Sequence, residues 1–514
     1  MSPLSLLSLS FLLLLPSFLL VSSSQPPKGV LIDCGANVGS VIGGREWLPD
    51  GDFVSAGVAR NLTVPVLVPT LSTVRTFPFR NNVGRKFCYD VRVYRGARYM
   101  VRTTYFYGEV NGSSSPPVFD QIVDGTLWGV VNTTEDYRKG NASYYEGVFK
   151  AKGKSMSVCL GVNSDTDSDP FISALEFVML EESLYNTTKF DVNGLSLVAR
   201  HSFGYRGSTI RYPDDPFDRF WEQYGENNYV IVSDSTPPVS GFWNLPPSKV
   251  FKTALSTDQP QSLELRWPPV SLQNASYYIA LYFADTESRP NSTILGININ
   301  DVTYYRNLNV TPAGAAVFAT SWPLFGNTKI ILIPTSNSEI SPLINAGEIF
   351  QVLELGGRTL TKDVIALEEI KKSLKNPPLD WNGDPCLPRQ YRWTGVTCSE
   401  GSRIRVTTLN LTGLGLSGSV SPKIGNLTAL TDIWLGNNRL SGKIPDLSSL
   451  KMLEKLHLED NKLSGEIPSS LGDNQKLHEI FLQNNNLTGH IPDSLIGRPG
   501  LNLTTSPGNP FLSR

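Results

Sequence analysis

One glycine-rich motif and four histidines are the features of this sequence that could support catalysis or bind a cofactor. The motif Gly413-x-Gly415-x-x-Gly418 has the spacing with which dinucleotide-binding proteins hold a pyrophosphate at the start of a helix. No helical pattern follows these glycines, which fall in the turn of a sequence repeat, so we reject that function. The histidines are His201, His457, His478 and His490. Because they lack metal-ligand spacing and no nucleophile motif accompanies them, we predict no catalytic residue, metal site, cofactor or enzyme activity.

The C-terminal part of the chain is built from sequence repeats. Four units begin at Val406, Leu430, Leu453 and Leu477, at intervals of 24, 23 and 24 residues, and follow the pattern LxxLxLxxNxLxGxIPxxL. Each unit predicts one short strand, because alternate side chains of a strand point to the same face. The last three units place an asparagine at one position of the turn: Asn438, Asn461 and Asn485. We expect these carboxamides to hydrogen-bond backbone groups of neighbouring coils that would otherwise be buried unpaired.

Each predicted strand also has side chains that face outward on the concave sheet. The central column of outward residues is Asn410, Trp434, His457 and Phe481. The flanking columns are Thr408, Asp432, Lys455 and Glu479 on one side, and Thr412, Gly436, Glu459 and Gln483 on the other. Exposed aromatic residues on a rigid sheet with a charged rim are typical of protein interaction hot spots. We therefore predict a partner-binding surface made of Trp434, His457, Phe481, Asp432, Lys455 and Glu479. The alternative is that the adjoining lobe or a glycan at Asn410 covers these aromatics.

Upstream of the repeats, most of the sequence has the pattern of β-sandwiches. Short apolar runs such as 30–32, 99–103 and 277–283 are separated by clusters of Gly, Pro, Asn and Asp. This region is longer than one sandwich needs, so we predict two lobes, 28–190 and 191–357, with a boundary within 183–196. Residues 363–374 then have apolar residues at helical spacing and predict a short amphipathic helix.

The repeats resemble the plant-specific class of leucine-rich repeats. The segments DWNGDPC at 380–386 and WTGVTC at 393–398 are similar to the N-terminal cap of plant leucine-rich repeat ectodomains. The resemblance implies a disulfide between Cys386 and Cys398. A cap is needed because the first coil of a solenoid has no neighbour to cover its core. We expect the helix and cap within 358–402, four repeats within 403–498 and a polar C-terminal tail over 499–514.

The N-terminal region resembles the malectin-like domain of plant receptor kinases. The segments that carry the resemblance include LIDCG at 31–35, TVRTFP at 73–78, PFISALE at 170–176, DRFW at 218–221 and WNLPP at 243–247. The expected fold is mainly β: two malectin-like β-sandwich lobes followed by a short leucine-rich-repeat solenoid with a disulfide N-cap. Members of this family commonly continue into a membrane span and a kinase. This sequence ends after the repeats, so we expect a mature chain without an integral membrane span.

The resemblance also implies carbohydrate binding as an alternative function. Malectin binds a short glucan in a cleft lined by aromatic side chains and an acid, and aromatic faces stack on sugar rings. Where the family has its aromatic pair, this chain has Glu287 and Ser288 in the second lobe, and Val110 and Asn111 in the first. The aromatic residues that could line a different cleft in the first lobe are Tyr105, Tyr107, Phe119 and Trp128, which we retain as candidate sugar-binding residues.

The N-terminus and the glycosylation sequons predict a protein of the secretory route. Residues 4–21 are almost wholly apolar and small residues precede Gln25, so we predict a signal peptide over 1–24, with an uncleaved membrane anchor as the alternative. We therefore expect a secreted protein of the apoplast or cell wall. The sequons are at Asn61, Asn111, Asn132, Asn141, Asn186, Asn274, Asn291, Asn309, Asn410, Asn426, Asn486 and Asn502.

Charge and cysteine content restrict the partners and the redox state. The 514-residue chain has 45 Lys plus Arg against 47 Asp plus Glu, a net charge of −2, which gives no excess positive field for a nucleic acid. Five cysteines are an odd number, so at least one thiol stays free or pairs between chains in an oxidising compartment. The pairing of Cys34, Cys88 and Cys159 stays open.

Together these features predict a secreted, non-catalytic recognition protein of cell-surface signalling. The expected ligand is a peptide or a receptor ectodomain, which includes the ectodomains of receptor kinases. The first alternative is a lectin-like protein that binds a glucan or another cell-wall glycan. The second alternative is an apoplastic inhibitor of wall-degrading enzymes.

Overall fold

The computed structural model of the protein describes residues 28–64, 68–78, 85–112, 115–225, 229–285, 293–335, 340–401 and 403–513. The predicted signal peptide at 1–24 and the sequon at Asn291 lie outside the described residues. The described chain is mainly β and ends in a leucine-rich-repeat solenoid, so the predicted fold class is confirmed. The domain boundaries within it stay predictions.

The first lobe is a β-sandwich. Its strands are β1 Gly29–Asp33, β2 Ser40–Ile42, β3 Arg45–Pro49, β4 Val58–Asn61, β5 Thr73–Thr76, β6 Lys86–Arg92, β7 Arg98–Tyr105, β8 Phe119–Val123, β9 Thr126–Val131, β10 Ser143–Lys150, β11 Ser155–Gly161, β12 Phe171–Ile172 and β13 Ala174–Leu180, with the one-turn helix α1 Thr134–Arg138 after β9. A sheet of order β6-β11-β8-β9 faces the sheet that contains β7 and β13. Apolar residues from both, such as Tyr89, Val101 and Phe177, form one buried core.

The second lobe repeats this arrangement. Its strands are β14 Asn193–Phe203, β15 Glu222–Tyr224, β16 Tyr229–Val232, β17 Thr253–Ser256, β18 Leu263–Leu265, β19 Leu272–Phe283, β20 Thr293–Ile299, β21 Val302–Val310, β22 Ala315–Gly326, β23 Ile330–Pro334 and β24 Ala346–Glu354. A sheet of order β18-β23-β20-β21 faces the sheet that contains β19 and β24. Leu281, Ile297 and Leu332 belong to the core between them.

One sheet continues through both lobes. Its order is β2-β3-β1-β13-β7-β10-β14-β24-β19-β22, with β15 paired to β14. β10 of the first lobe pairs antiparallel with β14 of the second, through Gly147 to Ser196 and Val148 to Leu195. The predicted connection at 183–196 therefore runs into a shared sheet and is not a free linker.

A row of buried, alternating charges crosses this shared sheet. The row, which we name the charge ladder, consists of Glu176 on β13, Arg102 on β7, Glu146 on β10, Arg200 on β14 and Glu348 on β24. Arg102 lies 2.7 Å from Glu146 and 3.3 Å from Glu176. Arg200 lies 3.0 Å from Glu348 and 2.7 Å from Glu146, the latter an ion pair without hydrogen-bond alignment. Burial alone would raise the pKa of Glu146, but Arg200 and Arg102 outweigh it and hold that pKa below its usual value.

A buried histidine makes the stability of the second lobe depend on pH. Nε1 of Trp267 donates to Nδ1 of His201 at 3.0 Å, so the ring is neutral and protonation at Nδ1 would break this bond. Burial lowers the pKa of His201 to about 4. Since the pKa of an unfolded histidine is ~6.5, the unfolded chain binds the extra proton first, and stability falls as the pH drops from ~6.5 to ~4.

We expect His201→Gln, which keeps an acceptor for Trp267 but does not titrate, to reduce this pH dependence. Wild-type protein should lose about 3 kcal/mol more than the variant between pH ~6.5 and ~4, measured by urea denaturation at each pH. Burial also raises the pKa of Asp33 and of Asp124 to about 6. The folded chain therefore binds these protons first, and these two carboxyls increase stability as the pH falls. They are common to both proteins, so equal pH profiles of wild type and variant would contradict the assignment to His201.

The C-terminal part of the chain begins with a helix and a cap and continues as a solenoid. Its elements are α2 Thr361–Ser373, β25 Val396–Cys398, β26 Val406–Asn410, β27 Ser417–Ser419, β28 Asp432–Trp434, β29 Arg439–Gly442, β30 Lys455–His457, β31 Lys462–Gly465, β32 Glu479–Phe481, β33 Asn486–His490, β34 Asn502–Thr504 and β35 Phe511–Ser513. The helix predicted at 363–374 is present as α2. The strands form two sheets, of order β25-β26-β28-β30-β32-β34 and β27-β29-β31-β33-β35. Ala366, Leu367 and Ile370 of α2 pack onto the leucine core of the coils.

The asparagines of the repeats connect neighbouring coils, as predicted. Nδ2 of Asn438 donates to the carbonyls of Leu411 and Leu435, both at 2.9 Å, and its Oδ1 accepts from the amide of Leu416 at 2.9 Å. Asn461 and Asn485 repeat this pattern one and two coils later. Buried backbone groups between coils are thereby paired.

We predict a polar tail over 499–514, and this prediction is wrong for the described residues, because 501–513 form a further coil. β34 pairs in parallel with β32, and β35 pairs with β33. Asn509 takes the ladder position, with Nδ2 donating to the carbonyl of Leu482 at 2.9 Å and Oδ1 accepting from the amide of Leu487 at 2.9 Å. The repeat pattern fails here because Thr505 stands where earlier units have leucine and one extra residue precedes Asn509.

Candidate ligand-binding face of the repeats

Three short parallel strands position the predicted partner-binding residues. β28, β30 and β32 are paired in register, so that Trp434 lies beside His457 and His457 beside Phe481. The middle residue of each strand points into the leucine core, which turns the residues on either side of it outward. All six predicted residues, Asp432, Trp434, Lys455, His457, Glu479 and Phe481, are half-buried and lie on one face of the sheet.

The three rings form a continuous aromatic stack. The ring centroids of Trp434 and His457 are 5.8 Å apart with 20° between the ring planes, and those of His457 and Phe481 are 4.4 Å apart with 25°. We name these three residues the aromatic stack. Because the ring faces pack on each other along the solenoid, the stack offers ring edges to a ligand. This geometry suits apolar side chains and backbone of a protein ligand better than a sugar ring, which needs an open aromatic face.

Acidic groups surround the aromatic stack. Nε2 of His457 lies 2.6 Å from Oε1 of Glu479 on the next strand. The carboxylate of Asp432 accepts from the hydroxyl of Thr431 at 2.6 Å. Lys455 is the basic residue of the predicted set, so carboxylates exceed ammonium groups on this part of the face.

A notch beside the stack was not predicted from the sequence. Gly436 lies two residues after β28, and a Cβ placed there would collide with the carboxylate of Glu459 from the next coil. Gln483 occupies the corresponding position one coil further on. We name Trp434, Gly436, Glu459 and Gln483 the Gly436 notch. The signal in the sequence is the glycine itself, at a position where two of the next coils have long polar side chains.

The cap fixes the solenoid to the first lobe away from the aromatic stack. The buried Nζ of Lys86 donates to the carbonyl of Asp384 at 2.7 Å, and the hydroxyl of Tyr391 donates to Asp120 at 2.7 Å. Burial lowers the pKa of Lys86 to about 8. In the ranges that the structure describes, the hydrogen bonds between this lobe and the C-terminal part of the chain involve cap residues 382–391. The stack lies outside this contact.

The four aromatics retained as sugar-binding candidates do not form a cleft. Tyr105, Tyr107, Phe119 and Trp128 are at most 4% exposed and belong to the core of the first lobe. Tyr105, for example, packs edge-on against Phe119 with ring centroids 5.7 Å apart. The prediction of sugar binding by these residues is corrected. The alternation of strand positions turns Tyr105, Phe119 and Trp128 into the sandwich, and Tyr107, which follows β7, packs on the buried Phe171.

Four of the five cysteines form disulfides in the structure. The Cys386–Cys398 bond implied by the resemblance is present, and Cys88 pairs with Cys159 on adjacent strands β6 and β11. Cys34 is the free cysteine, fully buried, and burial raises the pKa of its thiol well above the ordinary value. The Cys88–Cys159 bond lies at the contact with the cap, where a Cβ on Gly383 would collide with both sulfur atoms.

The sequons within the described residues lie on the surface or near it. The exposed asparagines are Asn61, Asn132, Asn141, Asn186, Asn274, Asn309, Asn486 and Asn502, and the half-buried ones are Asn111, Asn410 and Asn426. Asn410 pairs with Trp434 in the central column, and Asn502 pairs with Glu479 at the other end. Glycans at these two positions would border the aromatic stack along the solenoid axis.

The described residues contain neither a metal-binding cluster nor a helix suited to a membrane. Within those ranges, no group of three or more His, Cys, Asp or Glu side chains is arranged to hold a metal ion. Among the helices of the described chain, none combines the length and the apolar character required to cross a membrane.

Family comparisons match nearly the whole described chain. The Malectin-like domain family matches residues 32–352, the Leucine rich repeat N-terminal domain matches 360–399, and the Leucine Rich Repeat matches 452–474 and 476–497. A probable LRR receptor-like serine/threonine-protein kinase of Arabidopsis thaliana is 31% identical over 474 residues, which cover 84% of this chain and 48% of that protein. A second receptor-like kinase of this plant is 30% identical, with 81% and 47% covered. The chain thus spans about half the length of these relatives.

Two solved structures of plant proteins share this fold. The ANX2 ectodomain from Arabidopsis thaliana is 15% identical with a TM-score of 0.51, covering 63% of this chain and 97% of that chain. A chain of the complex of the plant peptide RALF23 with FER and LLG2 is 17% identical with a TM-score of 0.52, covering 64% and 96%. At these identities the likeness establishes the fold.

Proposed function

The chain belongs to the malectin-like family with leucine-rich repeats, and on that basis we propose that it is an extracellular recognition protein that binds a peptide or a receptor ectodomain through the repeats. The domains present in this chain are of the ectodomain type. Recognition without catalysis by this chain, secretion through the N-terminal signal and a place in cell-surface signalling are parts of the proposal.

The observation that carries the proposal is the aromatic stack. Three large rings stand in register on a rigid parallel sheet, half-buried and bordered by charged groups. Aromatic residues at the centre of such a surface commonly dominate protein binding energy, while a polar rim excludes water. The core leucines beneath the sheet hold the rings in place, so little conformational entropy is lost on binding.

A relative of the fold supports the choice of a protein ligand. The solved complex of RALF23 with FER and LLG2 contains a peptide together with a protein of this fold. The lectin alternative has no comparable support, because its four candidate aromatics are buried and the stacked rings offer edges. No observation favours inhibition of wall-degrading enzymes.

We expect Trp434→Ala and Phe481→Ala each to weaken ligand binding roughly thirtyfold or more, which corresponds to about 2 kcal/mol. The full glycosylated chain would be screened by biolayer interferometry against receptor ectodomains, synthetic wall peptides and glycans, and each binder titrated against the variants. Because these rings lie on the face of the sheet and not in the leucine core, melting temperatures should stay close to wild type.

Phe511→Ala is the matched control, since Phe511 is a 68% exposed aromatic on β35, in the other sheet of the solenoid. The ligand affinity of Phe511→Ala should equal that of wild type. A binder that loses equal affinity with Phe511→Ala and with the stack variants would contradict the assigned face. A screen in which glycans alone bind would overturn the proposal.

A further inference from the structure

The Gly436 notch contains buried polar atoms without partners. Among the described residues, Nε1 of Trp434, Oε2 of Glu459 and Oε1 of Gln483 are enclosed and make no hydrogen bond. Such atoms are rare in folded proteins, because each costs free energy relative to water until a partner is supplied. Three of them at neighbouring positions of one face mark the place where a ligand would supply the missing partners.

The carboxylate of Glu459 also has no cationic partner in the part of the chain that the structure describes. Within the described ranges, no ion pair within 4.0 Å involves Glu459, whereas the neighbouring Glu479 is paired with His457. The notch thus holds one negative charge and a second acceptor, the amide oxygen of Gln483, on adjacent coils. Gly436 leaves the space in which this carboxylate lies.

The face around the notch has the same sign of charge. Among the described residues of the three outward columns, the carboxylates are Asp432, Glu459 and Glu479, and the ammonium group is that of Lys455. Two adjacent acceptors, one of them charged, match the donors of a guanidinium or an ammonium group. The unpaired donor of Trp434 matches a backbone carbonyl of an extended chain.

We propose that the Gly436 notch binds the cationic side chain of an arginine or lysine in a peptide ligand, with Glu459 and Gln483 accepting its hydrogen bonds. The inference rests on the proposed function, because the peptide would lie across the aromatic stack and place its basic residue beside it. The peptide carbonyl next to that residue would accept from Nε1 of Trp434. A charge-assisted pair of this kind gives specificity for a basic position as well as affinity.

The alternative is that Glu459 only adds surface charge to the solenoid. Surface carboxylates contribute solubility and have no preferred partner, and their removal changes little. That alternative predicts ligands whose binding is indifferent to a basic residue, which gives a direct test.

A random heptapeptide library displayed on beads is the probe. Fluorescent wild-type protein should enrich peptides with Arg or Lys at one fixed position. Each enriched peptide would then be synthesised with citrulline, a neutral isostere of arginine, in that position. Wild type should prefer the arginine peptide at least roughly tenfold, and the preference should weaken with salt. In Glu459→Gln, and in Gly436→Ala, whose methyl group displaces the carboxylate, the preference should fall to about twofold or less.

Glu466→Gln is the matched control, an exposed carboxylate on the same coil but next to the other sheet, and should keep the wild-type preference. The inference would be overturned if the enriched peptides had no basic position, or if wild type bound the arginine peptide and its citrulline counterpart with equal affinity. Either result would leave the proposed function intact. A preference that survives in Glu459→Gln would overturn the assignment to this notch. If wild type enriches no peptide over Trp434→Ala, both proposals fail for peptide ligands.

Discussion

Arg102→Met is expected to lower the free energy of unfolding by about 3 to 5 kcal/mol, because it leaves buried carboxylates without their cation. The guanidinium lies between Glu146 and Glu176, donates to the carbonyl of Asp218 at 2.6 Å, and stacks 3.6 Å from the ring centroid of Phe220. Methionine fills similar space but can satisfy none of these acceptors. Urea denaturation of the secreted protein measures the change in the free energy of unfolding. A low yield of folded Arg102→Met protein would also be consistent with the expected destabilisation.

The control for Arg102 is the same substitution at an exposed site. Arg138 on α1 is 71% exposed and pairs with Glu135 at 3.9 Å, so Arg138→Met should change stability by less than about 0.5 kcal/mol. If both substitutions lower the free energy of unfolding by equally small amounts, the charge ladder does not join the two lobes as described. A variant that loses only the second lobe at lower urea concentration would show that the lobes unfold separately despite the shared sheet.

Asn461→Ala should lower the free energy of unfolding by about 2 to 4 kcal/mol, because several buried backbone groups lose their partner at once. Oδ1 of Asn461 accepts from the amide of Leu440 at 2.9 Å, and Nδ2 donates to the carbonyls of Leu435 and Glu459 at 2.9 and 3.0 Å. These groups belong to neighbouring coils and lie away from water. The expected result is a lower urea midpoint, with faster amide exchange in the coils on both sides of the substitution.

Lys462→Ala provides the comparison, because Lys462 follows Asn461 directly in the chain but is exposed. We expect its stability to stay within about 0.5 kcal/mol of wild type. Similar losses in both variants would mean that the carboxamide does not pair the coils. The structure predicts that Asn461→Ala alone lowers the stability of the solenoid and that the stability of the two lobes does not change.

The repeats could be predicted almost to the residue because their contacts are local and recur. Every coil presents the same leucines to its neighbours, so one period of 23 or 24 residues identifies the strands, the asparagine position and the outward columns. The last coil could not be predicted in this way, because Thr505 interrupts the leucine pattern. Its pairing with β32 depends on backbone hydrogen bonds, which any residue except proline can donate.

The charge ladder could not be predicted, because its members are distant in sequence. Arg102, Glu146 and Glu348 meet only when strands from both lobes enter one sheet, and that strand order is not local information. The candidate sugar residues failed for a related reason. Aromatic side chains on strands occupy cores and clefts alike, and only the opposing sheet decides which.

The Gly436 notch could be predicted from the sequence only in part. Its positions could be assigned from the repeat, but the lean of Glu459 over Gly436 depends on side-chain packing that the pattern does not contain. The six residues predicted for the concave face were found together because the register of parallel strands follows directly from the repeat.

Hydroxyl-radical footprinting of the full chain with a ligand from the screen tests the central claim most directly, since it measures the exposure of individual aromatic side chains. With ligand bound, we expect oxidation of Trp434 and Phe481 to fall, while the exposed controls Tyr94 on the first lobe and Phe511 on the other sheet of the solenoid react as before. Protection confined to the malectin-like lobes, with the aromatic stack as reactive as in the free protein, would contradict recognition by the repeats.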